Sequence, residues 1–173
     1  RQRQMCIRDS IRTHVTGPAG MTNTDCYDIK DPVPNIAIGY TKMNFEGTQF
    51  DDWIANLFAN PTKGGPAGGG YSTVEDLLKF DIALRENKLI SKEYFDIITT
   101  AKVERRENIA YAYYFEDKQV GGQRLVGHGG GAAGVNGDLA MFLDSGWTVA
   151  ILSNYDYGAM LLRNKTQQLL TQS

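Results

Sequence analysis

His128 is followed directly by three glycines, Gly129, Gly130 and Gly131, with Gly134 and Gly137 close behind. Leu125 and Val126 precede the run and Leu139, Met141 and Leu143 follow it, so the glycines are embedded in strand-like sequence. Glycine within a strand pattern marks a close approach to the backbone, by a neighbouring strand, at a tight bend or by a ligand. A histidine beside such a run is either a partly buried structural residue or a polar group of a site. The glycines favour a site. A strand without side chains leaves its N–H donors bare, and such donors stabilise the oxyanion that develops in acyl transfer. Asn136 is a further candidate, placed to reach a substrate from the turn beyond this strand.

The elements that position this stretch follow from periodicity. Residues 11–24 read as the end of a helix and a turn, with Gly17, Pro18 and Gly20 breaking any helix there. Ile36, Ile38 and Tyr40 alternate with smaller residues and predict a short strand over 36–42. Asp51 or Asp52 is read as the cap of a short helix carrying Ile54, Leu57 and Phe58, with a long loop as the alternative. Ser72 and Glu75 have the spacing of a capping box, opening a helix whose Leu77, Phe80 and Leu84 share one face. That helix stops near Asn87, and a second begins at Ser91 with Tyr94, Ile97, Ile98 and Ala101 at amphipathic spacing. Ile109, Tyr111, Tyr113 and Phe115 then alternate as a half-buried strand, and Gly121-Gly122 predicts a hairpin turn into the glycine-rich stretch. A strand over 138–143 turns at Asp144-Ser145-Gly146 into 147–154, apolar on both faces and therefore expected at the centre of the sheet. A last helix over 158–170 brings Leu162, Thr166 and Leu169 to one face. The order is helices, an antiparallel meander of about four strands, then one helix: an α+β fold with an antiparallel sheet flanked by helices.

A length of 173 residues allows one domain or a large part of one, and 42% apolar with 22% charged residues is ordinary for a globular chain. A formal net charge of -2 carries no nucleic-acid footprint. The densest charged segment, 102–107, alternates in sign and reads as a solvated helix end or loop. No apolar run approaches the ~18 residues of a membrane span. Cys6 and Cys26 have no metal-type spacing and are read as free thiols, and His14 and His128 are the only histidines. Neither a metal nor a cofactor is expected. The opening RQRQMCIRDS lacks clean periodicity and an initiator methionine. Residues 1–10 are therefore read as foreign to the fold, and 11–173 as the C-terminal portion of one domain.

The His-Gly-Gly-Gly string also occurs as an oxyanion loop in α/β-hydrolase esterases. Those enzymes carry a Gly-x-Ser-x-Gly elbow, and no serine here has that frame: Ser145 and Ser153 lack it, and Val74 takes the second glycine position after Ser72. A broader match covers nearly the whole chain after residue 11. GPAGMTNT, NIAIGYT, AGGGYSTVEDLLKF, GHGGGAAGVNGDL and a strand ending in LSNYD follow in one order. Together they resemble the C-terminal half of the serine β-lactamase-related hydrolases, the penicillin-recognising group of class C β-lactamases, DD-peptidases and many esterases.

The resemblance implies a β-lactamase/DD-peptidase-like fold, here incomplete, and acyl-enzyme hydrolysis of ester, amide or β-lactam bonds. It implies that His128, Gly129 and Gly130 carry the group's third motif, the His-x-Gly variant of Lys-Thr-Gly, on an edge strand facing the nucleophile. Gly131 then supplies the N–H half of the oxyanion hole. His128 donates to a substrate carbonyl or carboxylate, or pairs with a catalytic tyrosine, while Gly129 and Gly130 let an acyl chain lie along the strand edge. A small-molecule or peptidoglycan-like acyl substrate and an exported, periplasmic or extracellular location are implied as well. The group's Ser-x-x-Lys and Tyr-x-Asn motifs do not occur: three residues beyond Ser10, Ser72, Ser91, Ser145 and Ser153 stand Thr13, Glu75, Tyr94, Thr148 and Asp156. Both belong upstream in that group, so the chain reads as a fragment, inactive alone, of an active parent. Two other readings stay open: a non-catalytic relative that binds acylated ligands in the same groove, and an interaction module whose glycines serve packing. Gly68-Gly69-Gly70 before a helix is read as structural rather than phosphate-binding, since no lysine follows as in a P-loop. Of the tyrosines at 111–114, Tyr113 or Tyr114 is placed at the cleft border.

Overall fold

The computed structural model describes residues 2–28, 31–43, 49–58, 64–65, 67–106 and 108–171. Among the described residues, six antiparallel strands form the main sheet, each paired with the next in sequence order as a pure meander. They are β3 (Val103–Arg106), β4 (Ile109–Tyr111), β5 (Glu116–Val120), β6 (Gln123–Ala132), β7 (Val135–Phe142) and β8 (Thr148–Ser153). A separate hairpin pairs β1 (Tyr40–Met43) with β2 (Gln49–Ala55). The helices are α1 (Gln2–Ile11), α2 (Gly17–Ala19), α3 (Val74–Arg85), α4 (Lys92–Thr99) and α5 (Gly158–Thr171). The α+β plan with helices on an antiparallel sheet is as the sequence implies.

Alternation along the strands divides the core. Val126 and Met141 pair across β6 and β7 and pack with Leu84 of α3, joined by Phe80 and Phe95. Leu125 and Phe142, the next pair, point the other way and pack with Ala140, Val149 and Leu170 of α5. Side chains one residue apart on a strand take opposite faces, so the two strands at the centre of both clusters are anchored from both sides.

Several local expectations are corrected. Gly17-Pro18 does not end the first helical segment. Helical backbone continues through a π-turn at Arg12–Thr16 into α2, where proline is tolerated in the first turn, and ends at Gly20 in the left-handed region at φ 70°. The strand expected over 36–42 begins only at Tyr40. Its partner β2 occupies the place of the helix expected after Asp51 or Asp52, with one 3-10 turn at Asn56–Phe58. The cap of α3 is Thr73, not Ser72: its hydroxyl accepts from Asp76 N at 3.2 Å, while Ser72 Oγ pairs with Thr24 Oγ1 at 2.7 Å. Helix α4 starts at Ser91 as expected but packs on Phe95 and Thr99, leaving Tyr94 60% exposed.

The strand read through 109–115 is two strands. After Tyr111 the chain turns sharply, with Ala112 N–H donating to Phe115 O at 2.8 Å and Tyr114 at φ 65°. The apolar alternation continued through a turn whose tyrosines, Tyr113 and Tyr114, are exposed. The charged segment at 102–107 contains the fully solvated strand β3 rather than a loop or helix end. Strand β8, apolar on both faces, lies at the end of the six-strand order instead of its centre. Helices α3 and α5 both pack on it, which explains the double-sided apolar pattern. In α5 the packed residues are Ala159 and Leu170, whereas Leu162 and Leu169 are exposed. Cys26 carries a free thiol; the side chain of Cys6 and residue 1 lie outside the described residues. No helix among the described residues is long and apolar enough to cross a membrane.

Candidate active-site wall

Strand β6 is longer than β5, and the mismatch creates the site. Pairing with β5 ends at Gly127 opposite Glu116, whereas pairing with β7 continues to Ala132 opposite Val135. From His128 onward one edge of β6 therefore has no strand beside it among the described residues. The phase of the ladder follows from Leu143 N–H, which donates to Arg124 O at 3.0 Å. Antiparallel peptide groups alternate in direction, so even-numbered β6 residues bond to β7 and odd-numbered ones point the other way. Leu125 and Gly127 meet β5 in this direction. Gly129 and Gly131 lie past its end, and their N–H groups face the open edge.

The glycines owe their place to different causes. A β-carbon on Gly129 would stand 2.6 Å from Asp138 Oδ1, and one on Gly131 would stand 2.9 Å from Asn136 Nδ2. On Gly137 it would press Leu152 at 3.1 Å. Gly134 forms the turn at φ 74°, against Asn56 and Tyr40. Only Gly130, among the glycines of this run, has open space where a side chain would be. Neighbouring strands and the bend thus explain all but one.

His128 is exposed, and its Nε2 lies 3.3 Å from the Tyr111 hydroxyl, with the rings edge to face. Tyr111, not Tyr113 or Tyr114, is therefore the tyrosine of this border. Arg105 Nη1 donates to Tyr111 Oη at 3.2 Å and approaches Glu116 Oε1 at 3.4 Å; Lys118 Nζ donates to Glu116 Oε2 at 2.9 Å. Burial works to raise the Glu116 pKa, but the bond from Lys118 and the nearby cations outweigh it and hold the carboxyl below its ordinary value. The opposite balance holds at Asp138, where burial outweighs the Arg163 guanidinium 3.3 Å away and pushes the carboxyl up.

The far end of β6 is held by groups the sequence did not mark. Asp156 Oδ1 accepts the Gly134 N–H at 2.7 Å, and its Oδ2 accepts Thr41 Oγ1 and Lys42 N, each at 3.0 Å. Fully buried Asn56 donates to Ala133 O at 2.9 Å. One carboxylate and one amide thus fix the 133–134 turn to the β1–β2 hairpin. The available signals were Asp156 inside the LSNYD string and an asparagine after an apolar strand; neither identifies a turn 22 residues away. Asn136 lies within β7 opposite Gly131, not in the turn. Its amide donates to Gly130 O at 2.8 Å and accepts Met160 N–H in the first turn of α5 at 2.9 Å.

A family model described as Beta-lactamase matches residues 4–172. Among curated proteins, the putative penicillin-binding protein PbpX of Bacillus subtilis is 30% identical over 166 residues, covering 94% of this chain and 38% of that protein. Among solved structures, a penicillin-binding protein from Bacillus halodurans superposes with a TM-score of 0.84 at 26% identity, over 94% of this chain and 49% of the other. A D-stereospecific amidohydrolase from a Streptomyces species shares the fold at a TM-score of 0.71 and 21% identity, over 87% of this chain and 44% of the other. The chain spans half or less of the length of each.

Proposed function

The chain belongs to the Beta-lactamase family, and from that premise we propose that it forms one wall of a serine acyl-transfer site acting on ester, amide or β-lactam bonds. Gly131 N–H is one half of the oxyanion hole and His128 the polar contact to the substrate or to a catalytic tyrosine. The acyl chain lies along Gly129 and Gly130 as an added strand. Asn136 takes part by fixing Gly130 rather than by touching the ligand. The nucleophile and its base belong to a Ser-x-x-Lys motif outside these 173 residues, with Tyr-x-Asn as the second proton-transfer group.

The observation that carries this reading is the edge of β6 that no strand among the described residues pairs with, where two glycine N–H groups point away from the ladder beside an exposed histidine. An oxyanion needs donors that are oriented in advance and unobstructed by side chains.

The test assays the full-length gene product and this chain alone on a chromogenic cephalosporin, a D-amino acid amide and a p-nitrophenyl ester. The full-length protein is expected to turn over at least one of them and to carry a covalent acyl mass on a serine; the 173-residue chain is expected to turn over none. Turnover by the chain alone that disappears on deleting residues 129–131 would overturn the assignment of the nucleophile. A full-length protein that binds these compounds without acylation is instead a non-catalytic relative.

A further inference from the structure

Tyr111 joins two groups of fixed hydrogen-bonding character. On one side stands Arg105, whose guanidinium only donates and does not lose its charge in proteins. Its Nη1 reaches Tyr111 Oη at 3.2 Å, and Glu116, itself held by Lys118, accepts from the same nitrogen at 3.4 Å. On the other side is His128 Nε2, 3.3 Å from the hydroxyl. A neutral imidazole carries one proton, so Nε2 is either donor or acceptor, and the partner decides which.

Arg105 lies over the Tyr111 ring, its guanidinium carbon 5.1 Å from the centroid, and donates to the phenol oxygen from that side. A guanidinium cannot accept, so of the two groups at the hydroxyl the O–H proton can go only to His128 Nε2. An imidazole N–H aimed at the same oxygen would crowd a third hydrogen against a group already polarised by a cation. The remaining favourable arrangement has the Tyr111 O–H donating to Nε2. The imidazole proton then sits on Nδ1.

We infer that Tyr111, anchored by Arg105, is a positioning residue that holds His128 as the Nδ1–H tautomer, leaving Nδ1–H as its hydrogen-bond donor. Exposed histidines in water favour the opposite tautomer. The edge-to-face ring contact, with centroids 6.2 Å apart, fixes the imidazole plane as well. The catalytic consequence rests on the reading of His128 as a substrate contact; the tautomer itself does not. In that reading Nε2 is occupied from inside the protein, and a substrate carbonyl or carboxylate is met by Nδ1–H.

The tautomer is read directly by long-range proton–nitrogen correlation on the 15N-labelled chain at pH ~8.5, about two units above the ordinary imidazole midpoint. The chain contains two histidines, and exposed His14 is the internal reference for the solvent preference. His128 is expected to show a protonated Nδ1 and a bare Nε2, the reverse of His14. In Tyr111→Phe the ring stays and the hydroxyl goes, so His128 should revert to the His14 pattern. In Arg105→Met the Nδ1–H majority should shrink, because the phenol oxygen is again free to accept. A wild-type His128 that is protonated on Nε2 overturns the inference. So does an unchanged pattern in Tyr111→Phe with the amide spectrum preserved. None of these readouts involves turnover, so the acyl-transfer reading stands or falls separately, on acylation of the full-length protein.

Discussion

Gly129 faces Asp138 across the β6–β7 ladder so closely that a β-carbon on the glycine would stand 2.6 Å from the carboxylate. Asp138 is 6% exposed and held by Arg163, so it cannot swing into solvent without losing its partner. The glycine at this position is explained by packing against a buried carboxyl whose arginine partner is part-exposed. Gly129→Ala should therefore cost ~1–3 kcal/mol, the range for overpacking, although alanine is otherwise the better residue for ordered backbone. Asp138→Ala removes the obstacle, so a double-mutant cycle in urea should show strong coupling between the two changes. Additive effects would mean that the carboxylate is not what excludes a side chain.

Gly130 separates ligand from packing. No atom lies within 4 Å of where its β-carbon would be, whereas Gly131 is crowded by Asn136 at 2.9 Å. Gly130→Ala should leave stability within ~0.5 kcal/mol of the parent, like other substitutions that touch nothing. If an acyl chain lies on this edge, the same methyl should lower kcat/KM of the full-length protein by tenfold or more, ~1.4 kcal/mol in the transition state. Gly131→Val is a poorer probe, since it should lower the melting temperature as well. Unchanged kcat/KM in Gly130→Ala would argue against a substrate on this edge.

The sequence was most legible where one physical signal acted alone. Gly121-Gly122 gave the hairpin into β6, and both glycines are in the left-handed region at φ 55° and 78°. Ser91 gave the start of α4. Legibility failed where two signals competed. Adjacent Ser72 and Thr73 both qualify as caps; Thr73 wins because the residue three beyond it, Asp76, turns inward to receive Asn23 N and Thr24 Oγ1. Apolar alternation through 109–115 continued across a turn, hiding the end of β4 and with it the role of Tyr111. The open edge of β6 depends on β5 stopping opposite Gly127, and a strand's partner length is not written in its own residues. Asp156 and Asn56 act on a turn distant in sequence, which no local pattern can reveal.

Asp76 contributes to the acid limit of stability, together with Asp25, held well below the usual carboxylate range by Arg8 and Arg12, and Glu116. Asp76 is fully buried; burial works to raise its pKa, but the Lys79 ammonium at 2.7 Å, Asn23 N–H and the Thr24 hydroxyl outweigh that and lower it. A carboxyl whose folded pKa is lowered adds stability that is present above the unfolded value of ~3.9 and lost as pH falls through the folded one. Asp138 has the opposite sign: its raised pKa means that protonation favours the folded form. Asp76→Asn should therefore flatten the fall in unfolding free energy below pH ~4, whereas Asp138→Asn should abolish a gain in stability that wild type makes above pH ~4, as pH falls toward the unfolded carboxyl value. Urea titrations between pH ~3 and ~6 decide this; parallel curves for wild type and Asp76→Asn would remove Asp76 as a cause.

Asp156 should control the order of the site without touching it. Its carboxylate is the acceptor for three donors on two segments: Gly134 N–H in the turn, and Lys42 N–H and the buried Thr41 hydroxyl in β1. Asp156→Ala takes this acceptor from the Gly134 and Lys42 N–H groups and leaves the Thr41 hydroxyl only Met43 O at 3.4 Å. It should cost ~2–4 kcal/mol, several times the net worth of one neutral hydrogen bond. The loss should be uneven. Ladder bonds at the base of β6, around Leu125 and Val126, are sealed by both core clusters, whereas those of Gly130 and Ala132 end at the turn that Asp156 holds. Amide exchange in Asp156→Ala should thus accelerate at Gly130, Ala132 and Gly134 well before it does at Val126. Uniform acceleration along β6 would mean that the strand opens only with the whole sheet, and Asp156 would then be an ordinary stability residue. Selective acceleration would show that the glycine edge is kept straight from its far end. That end is the one closest to Gly131, whose N–H orientation the proposed oxyanion hole requires.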